Sequence, residues 1–383
     1  MRYELQQGKK ILVGLILMSV ILTGIGFASR TPGWARAQTD PTPTLSADAL
    51  TLAEQGQAAY WAGDLESAVN YYDQAVQAAP DHLDLWVEYA RLLIYRSYST
   101  GDLTYAEQAL AAAEQAVQLA PDQARAQAIL CLALVENDRP EEAVIAGLRA
   151  VELDPANADA HAYLSIAYRA LERPNQAFTE AETAVELDEN SLDARRAMAL
   201  AFAFQGEFEA AIEQYQRAIE IHPRLDTLYF ELSIFLRANN QYDEALALYD
   251  EVIAFRPTNV KAYVRKCETL FTMRQDSEAS AACEQAIQLD PSSAPAYRQL
   301  GMVQYTARDY EAAAESFATC AALQIEQAVP LDQREIECWY MRGLTFTLLD
   351  RCDEALPLLN EALEMNPTDQ VRGFIEQGIA TCE

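Results

Sequence analysis

Glu244 to Leu300 reads EALALYDEVIAFRPTNVKAYVRKCETLFTMRQDSEASAACEQAIQLDPSSAPAYRQL, and its second half echoes the first at an offset of 34 residues. Ala245, Val252 and Pro257 return as Ala279, Ala286 and Pro291, while Tyr263 and Cys267 return as Tyr297 and Gly301. Proline cannot continue a helix, so each one marks a helix end, and the small residues 12 and 5 positions before it share one helix face. A face restricted to small side chains is one that another backbone approaches closely. The unit is therefore a pair of packed helices.

The same marks extend in both directions. Pro121, Pro155, Pro223, Pro257 and Pro291 are spaced by 34, 68, 34 and 34 residues, and Glu189 stands where the missing proline would fall. Pro80 and Pro367 continue the series at spacings of 41 and 76, which predicts insertions near residues 96–104 and 322–335. Twelve residues before these marks stand Ala68, Ala109, Ala143, Ala177, Ala211, Ala245, Ala279 and Ala355. Self-similarity at this period is the signature of stacked helical pairs, here about nine of them. Only 14 glycines in 383 residues, with 51% apolar content, agree with an all-α fold. Trp86, His161, Tyr229, Tyr263, Tyr297 and Trp339 recur early in the first helices and Tyr72, Tyr215, Tyr249 and Phe317 in the second, as core packing requires. Gly63-Asp64, Gly206-Glu207 and Asn239-Asn240 mark the turns within pairs, and Pro140 and Pro174 suit the first turn of a second helix.

The succession Gly56, Ala68, Tyr72, Ala75, Pro80 resembles the tetratricopeptide repeat family, and the resemblance covers residues 49–367. It implies a right-handed α-solenoid superhelix whose first helices line the concave face, with residues 368–383 as a helix that closes the array. It further implies a surface that binds proteins or peptides. The groove types of this family that rely on asparagine are not matched, because no asparagine projects into the expected groove.

Residues 1–37 carry a different signal. Ile11 to Ala28 is an unbroken apolar run preceded by Arg2, Lys9 and Lys10, and eighteen helical residues span about 27 Å, enough for a bilayer core. The segment reads either as a signal anchor or as a signal peptide cut after Ala35-Arg36-Ala37. Both readings put the chain after Gln38 outside the cytoplasm, whether periplasmic, envelope-associated or secreted. Residues 38–48 are short, polar and proline-rich, as a linker is.

Basic residues number 28 against 58 acidic ones, a formal charge of -30 that opposes any phosphate backbone and argues against nucleic acid as a partner. Phasing the repeats nevertheless projects Arg91, Arg125, Arg169, Arg196, Arg237, Lys261, Arg265 and Arg298 onto the concave face, interleaved with aromatics that include Tyr163, Phe230 and Tyr340. Arginine among aromatics suits segments bearing carboxylates and apolar side chains. The alternative is internal pairing with Glu54, Asp84, Glu88, Asp159, Asp193, Glu231 and Glu268, which project to the same side.

Seven cysteines occur without a C-x-x-C, so zinc-type spacing is absent and no metal or cofactor is expected. Cys267 with Cys283, Cys320 with Cys338, and Cys352 with Cys382 are sterically reasonable disulfides for an oxidising compartment, the alternative being buried small residues at repeat contacts. The three histidines fall in different repeats and form no catalytic set. The expected function is a non-catalytic scaffold or adaptor. An envelope assembly factor, a substrate-holding chaperone and an accessory subunit of an enzyme complex are the alternatives.

Overall fold

A computed structural model describes residues 46–383, so the apolar run at 11–28 and the cleavage motif at 35–37 lie outside the described residues. Among the described residues nineteen α-helices follow one another. The first helices of the nine pairs are α1 (Ala47–Trp61), α3 (Leu83–Thr100), α5 (Ala124–Glu136), α7 (Ala158–Ala170), α9 (Leu192–Phe204), α11 (Asp226–Ala238), α13 (Val260–Thr272), α15 (Ala294–Thr306) and α17 (Glu337–Leu348). Their partners are α2 (Leu65–Ala78), α4 (Thr104–Leu119), α6 (Pro140–Leu153), α8 (Pro174–Leu187), α10 (Phe208–Ile221), α12 (Tyr242–Phe255), α14 (Asp276–Leu289), α16 (Tyr310–Glu326) and α18 (Cys352–Glu364), and α19 (Asp369–Cys382) closes the stack. The fold is an α-solenoid of nine helical hairpins and a terminal helix. Among the described residues no helix is long and apolar enough to cross a membrane.

Each recurrent residue has a visible job. Every alanine twelve residues before a helix-end mark is completely buried. A Cβ placed at Gly301 would lie 2.7 Å from the Phe317 ring, and one at Gly343 2.7 Å from the Leu359 side chain, so these large side chains of the second helix pack directly on the glycine backbone of the first. The period prolines stand just past the last turn of the second helices, where a missing N–H costs nothing. Side chains of Asp64, Asn157, Ser191 and Asn259 cap helix starts by accepting from backbone N–H groups. Ser46 does the same for α1, so Ala47 and Asp48 belong to that helix and not to the linker.

The seven-residue surplus between Pro80 and Pro121 is largely helical. It prolongs α3 to 18 residues, whereas the first helices of the next six repeats have 13 each. The later insertion lengthens α16 to 17 residues and adds a loop with a single 3-10 turn at Leu331–Gln333.

The superhelix returns upon itself. The end of α1 meets the junction between α10 and α11: Trp61 stacks on His222 at 4.7 Å, and the His222 Nε2 pairs with the Tyr60 carbonyl at 3.0 Å. Gly63 packs so tightly there that a Cβ would lie 2.3 Å from the Arg224 carbonyl oxygen. The long α3 crosses the concave side to reach α9, α11 and α13.

Candidate protein-interaction groove

The first helices bring most of the projected basic residues to the concave side, and each of those acquires a definite environment. In the first superhelical turn that environment is mostly internal, Arg125 being the member that keeps 42% side-chain exposure. The Arg91 guanidinium pairs with Glu88 at 2.8 Å and lies 4.7 Å from the centre of the Tyr60 ring, and Arg125 pairs with Asp84 and Glu88. Arg196 is 4% exposed and grips Glu231 through Nε and Nη2 at 2.7–3.0 Å. Tyr163 is buried, its hydroxyl donating to Asp193 at 3.1 Å, and the same carboxylate accepts from the Tyr95 hydroxyl of α3 at 2.6 Å. Arg169 has a buried Nε without a hydrogen-bond partner. Phe230 is buried beneath the Lys261 ammonium, 4.8 Å from its ring centre.

The groove that sequence phasing treats as open is therefore filled along this stretch by the chain's own α3. Arg91, Tyr163, Arg196 and Phe230 are structural members of its walls, because the superhelix is tight enough for opposite walls to meet through one lengthened helix. Burial pushes the Lys261 ammonium below its ordinary pKa, with the Arg265 charge adding to the effect, while Glu231 holds Arg196 well above the usual guanidinium value against the cost of burial.

Beyond α3 the concave side changes character. Glu268 on α13 is shared by Arg237 of α11 at 3.5 Å, Arg265 of α13 at 2.7 Å and Arg298 of α15 at 3.4 Å. Arg298 also reaches Glu335 at 3.3 Å. Three guanidiniums thus face two carboxylates, and the Arg265 side chain retains 43% of its exposure. Burial, set against the Arg298 charge, raises the Glu335 pKa. Phe271, Tyr305 and Tyr340 belong to α13, α15 and α17 on this stretch. Phe271 and Tyr305 are part-exposed, and Tyr340 is buried.

The six cysteines form the pairs Cys267–Cys283, Cys320–Cys338 and Cys352–Cys382, joining α13 to α14, α16 to α17 and α18 to α19, and Cys131 is free and buried. Cys320, Cys338 and Glu335 bring three potential ligand atoms within 4.8 Å of one another, but the two sulfurs are bonded to each other and are not thiolates.

A helical-repeat solenoid of this kind is a surface for other proteins, and its hairpins match models of one family. The tetratricopeptide repeat description fits residues 53–94, 105–158, 163–226 and 196–260 in one model, 236–301 in a second and 336–369 in a third. The chain belongs to the tetratricopeptide repeat family. No curated protein matches it by sequence. Among solved structures it is similar to a chain in the crystal structure of the APC/C hetero-tetramer Cut9-Hcn1, at 16% identity and a TM-score of 0.54 over 82% of this chain and 59% of that one. It is also similar to Pseudomonas aeruginosa pilF, at 18% identity and a TM-score of 0.44 over 56% of this chain and 96% of that one. The chain spans 59% of the length of the first of these.

Proposed function

We propose that this chain is a non-catalytic adaptor of an extracytoplasmic compartment that holds protein segments on the concave strip of α13, α15 and α17. The observation that carries this is the convergence of Arg237, Arg265 and Arg298 on the single carboxylate of Glu268, a concentration of guanidiniums in a chain of formal charge -30. Arginines with unused donors, beside Phe271 and Tyr305, suit a partner segment that carries carboxylates and apolar side chains. The basic and apolar residues before Gln38 support export, and three disulfides suit an oxidising compartment.

Site-specific photo-crosslinking in envelope fractions of the native host tests this. A photo-reactive residue at Tyr305 should capture one abundant protein, and the same residue at the exposed Ile145 of α6 should not. Arg265→Glu with Arg298→Glu should abolish the Tyr305 product while leaving far-UV helicity unchanged. A product that survives both reversals sinks the proposal. N-terminal sequencing of the recovered chain separates a release after Ala37 from an uncleaved anchor.

A further inference from the structure

The end of α3 carries more than extra length. Without residues 96–102 the spacing from Pro80 to Pro121 would be the regular 34, so this turn is an addition to the repeat. Tyr98 lies under the Arg196 guanidinium, 4.4 Å from its centre, and donates its hydroxyl proton to Glu136. Ser99 donates to Asp226 at 3.1 Å, and the Lys261 ammonium donates to the carbonyls of Tyr98 and Ser99 at 2.7 and 3.2 Å. A cation on the last carbonyls of a helix satisfies groups that have no partner within the helix and complements its dipole. Glu136 belongs to α5 of the next repeat, while Arg196, Asp226 and Lys261 belong to α9, α11 and α13, three or more repeats away. An aromatic anchor in a socket, a cation over its ring and a capped helix end are the features by which grooves hold separate helical ligands.

We propose that the extension of α3 is a built-in ligand: a tyrosine-tipped helix end that fills a socket on the concave side and thereby closes the first superhelical turn. The socket is a binding site for a phenol-bearing helix end, occupied in cis. The closing role requires no external partner, so it stands or falls independently of the adaptor function.

Two measurements on the full chain test it. Deleting residues 96–102 should enlarge the radius of gyration in small-angle scattering while the far-UV helical signal per residue is retained. Tyr98→Gly should lower the thermal midpoint, and p-cresol should restore it in the variant but not in the wild type, with toluene, which lacks the hydroxyl that Glu136 accepts, restoring less. A matched pair of glycine variants checks the closure from its other contact. Gly63 and Gly206 have φ of +80° and +82°, but only at Gly63 does a Cβ collide with the opposite wall. Gly63→Ala should therefore expand the molecule, and Gly206→Ala, carrying the same backbone strain, should not. Unchanged dimensions after the deletion, helicity lost in step with expansion, or no recovery by p-cresol would each overturn the proposal.

Discussion

Truncating Arg196 separates a wall residue from a ligand-facing one. The Arg196 side chain is 5% exposed and Glu231 is 18% exposed, so Arg196→Ala leaves a carboxylate facing the closed groove without its two-pronged partner. Breaking a buried pair from one side costs about 3–5 kcal/mol. The lost contact with the Tyr98 ring is worth up to about 2 kcal/mol, but the two losses share one side chain and do not add. About 3–4 kcal/mol is therefore expected, toward the lower end because Glu231 keeps some water. Arg265→Ala is the contrast. Its side chain is 43% exposed and Glu268 retains Arg237 and Arg298, so the loss should stay below about 1 kcal/mol. Urea unfolding followed by circular dichroism under oxidising conditions gives the overall cost. Hydrogen exchange resolved to α9 and α11 locates it, which matters because repeat arrays depart from two-state unfolding. A cycle with Glu231→Leu completes the test, since Arg196→Met with Glu231→Leu should cost less than Arg196→Ala alone. If Arg196→Ala and Arg265→Ala cost the same, the assignment of Arg196 to the wall is refuted.

Three further outcomes are expected. Gly301→Val should destabilise the chain by about 1–3 kcal/mol in thermal unfolding, because its Cβ would stand 2.7 Å from the fully buried Phe317 ring; a neutral result contradicts the close approach of α15 and α16. Intact mass of the oxidised protein should be six hydrogens below the reduced mass, and reduction should remove about 3–4 kcal/mol per bond for loops of these lengths. Two histidines should shape the pH profile with opposite signs. Burial holds His222 below the ordinary imidazole pKa, so its contribution is present above the unfolded value and is lost as pH falls through the lower folded one. The hydrogen bond from His161 to Glu180 raises His161, whose contribution is complete below the unfolded value and lost as pH rises through the folded one. His222→Asn should flatten only the acid limb of thermal midpoint against pH and His161→Gln only the limb above it, and unchanged limbs would refute both assignments.

The hairpins were legible because they depend on local rules. A proline past a helix end and an alanine at a close helix contact each act within a few residues, so Pro121 and Ala143 announce their roles in the sequence. The turns were legible for the same reason at Gly63, Gly206 and Asn240, all of which take positive φ. They were less so at Arg274 and Arg308, where the repeat imposes positive φ on residues that do not favour it. Projection onto the concave side also follows from helical phase, which is why Arg196 and Arg265 look alike in sequence. What separates them is superhelical pitch, a sum of small rotations over many repeats that no single residue encodes. The surplus before Pro121 was countable, yet nothing local in Tyr95 or Tyr98 points to Asp193 or Glu136 as its destination.

That destination divides the array into two regimes of stabilisation. A repeat solenoid ordinarily rests on contacts between neighbours alone, so its ends fray first. From α1 to α13 this chain adds contacts of long sequence separation, with Tyr60 on His222, Tyr95 on Asp193 and Lys261 on the end of α3. Opening any one repeat of that turn disturbs the wall opposite, which couples the repeats into a larger cooperative unit. Past the contact of α3 with Lys261 at the start of α13, among the described residues, the three disulfides take over: one within the seventh hairpin, one from the eighth to the ninth, and one from the ninth to the closing helix. The bonds therefore lie around the strip bearing Arg265 and Arg298, the one proposed here as the partner groove, which α3 leaves unfilled.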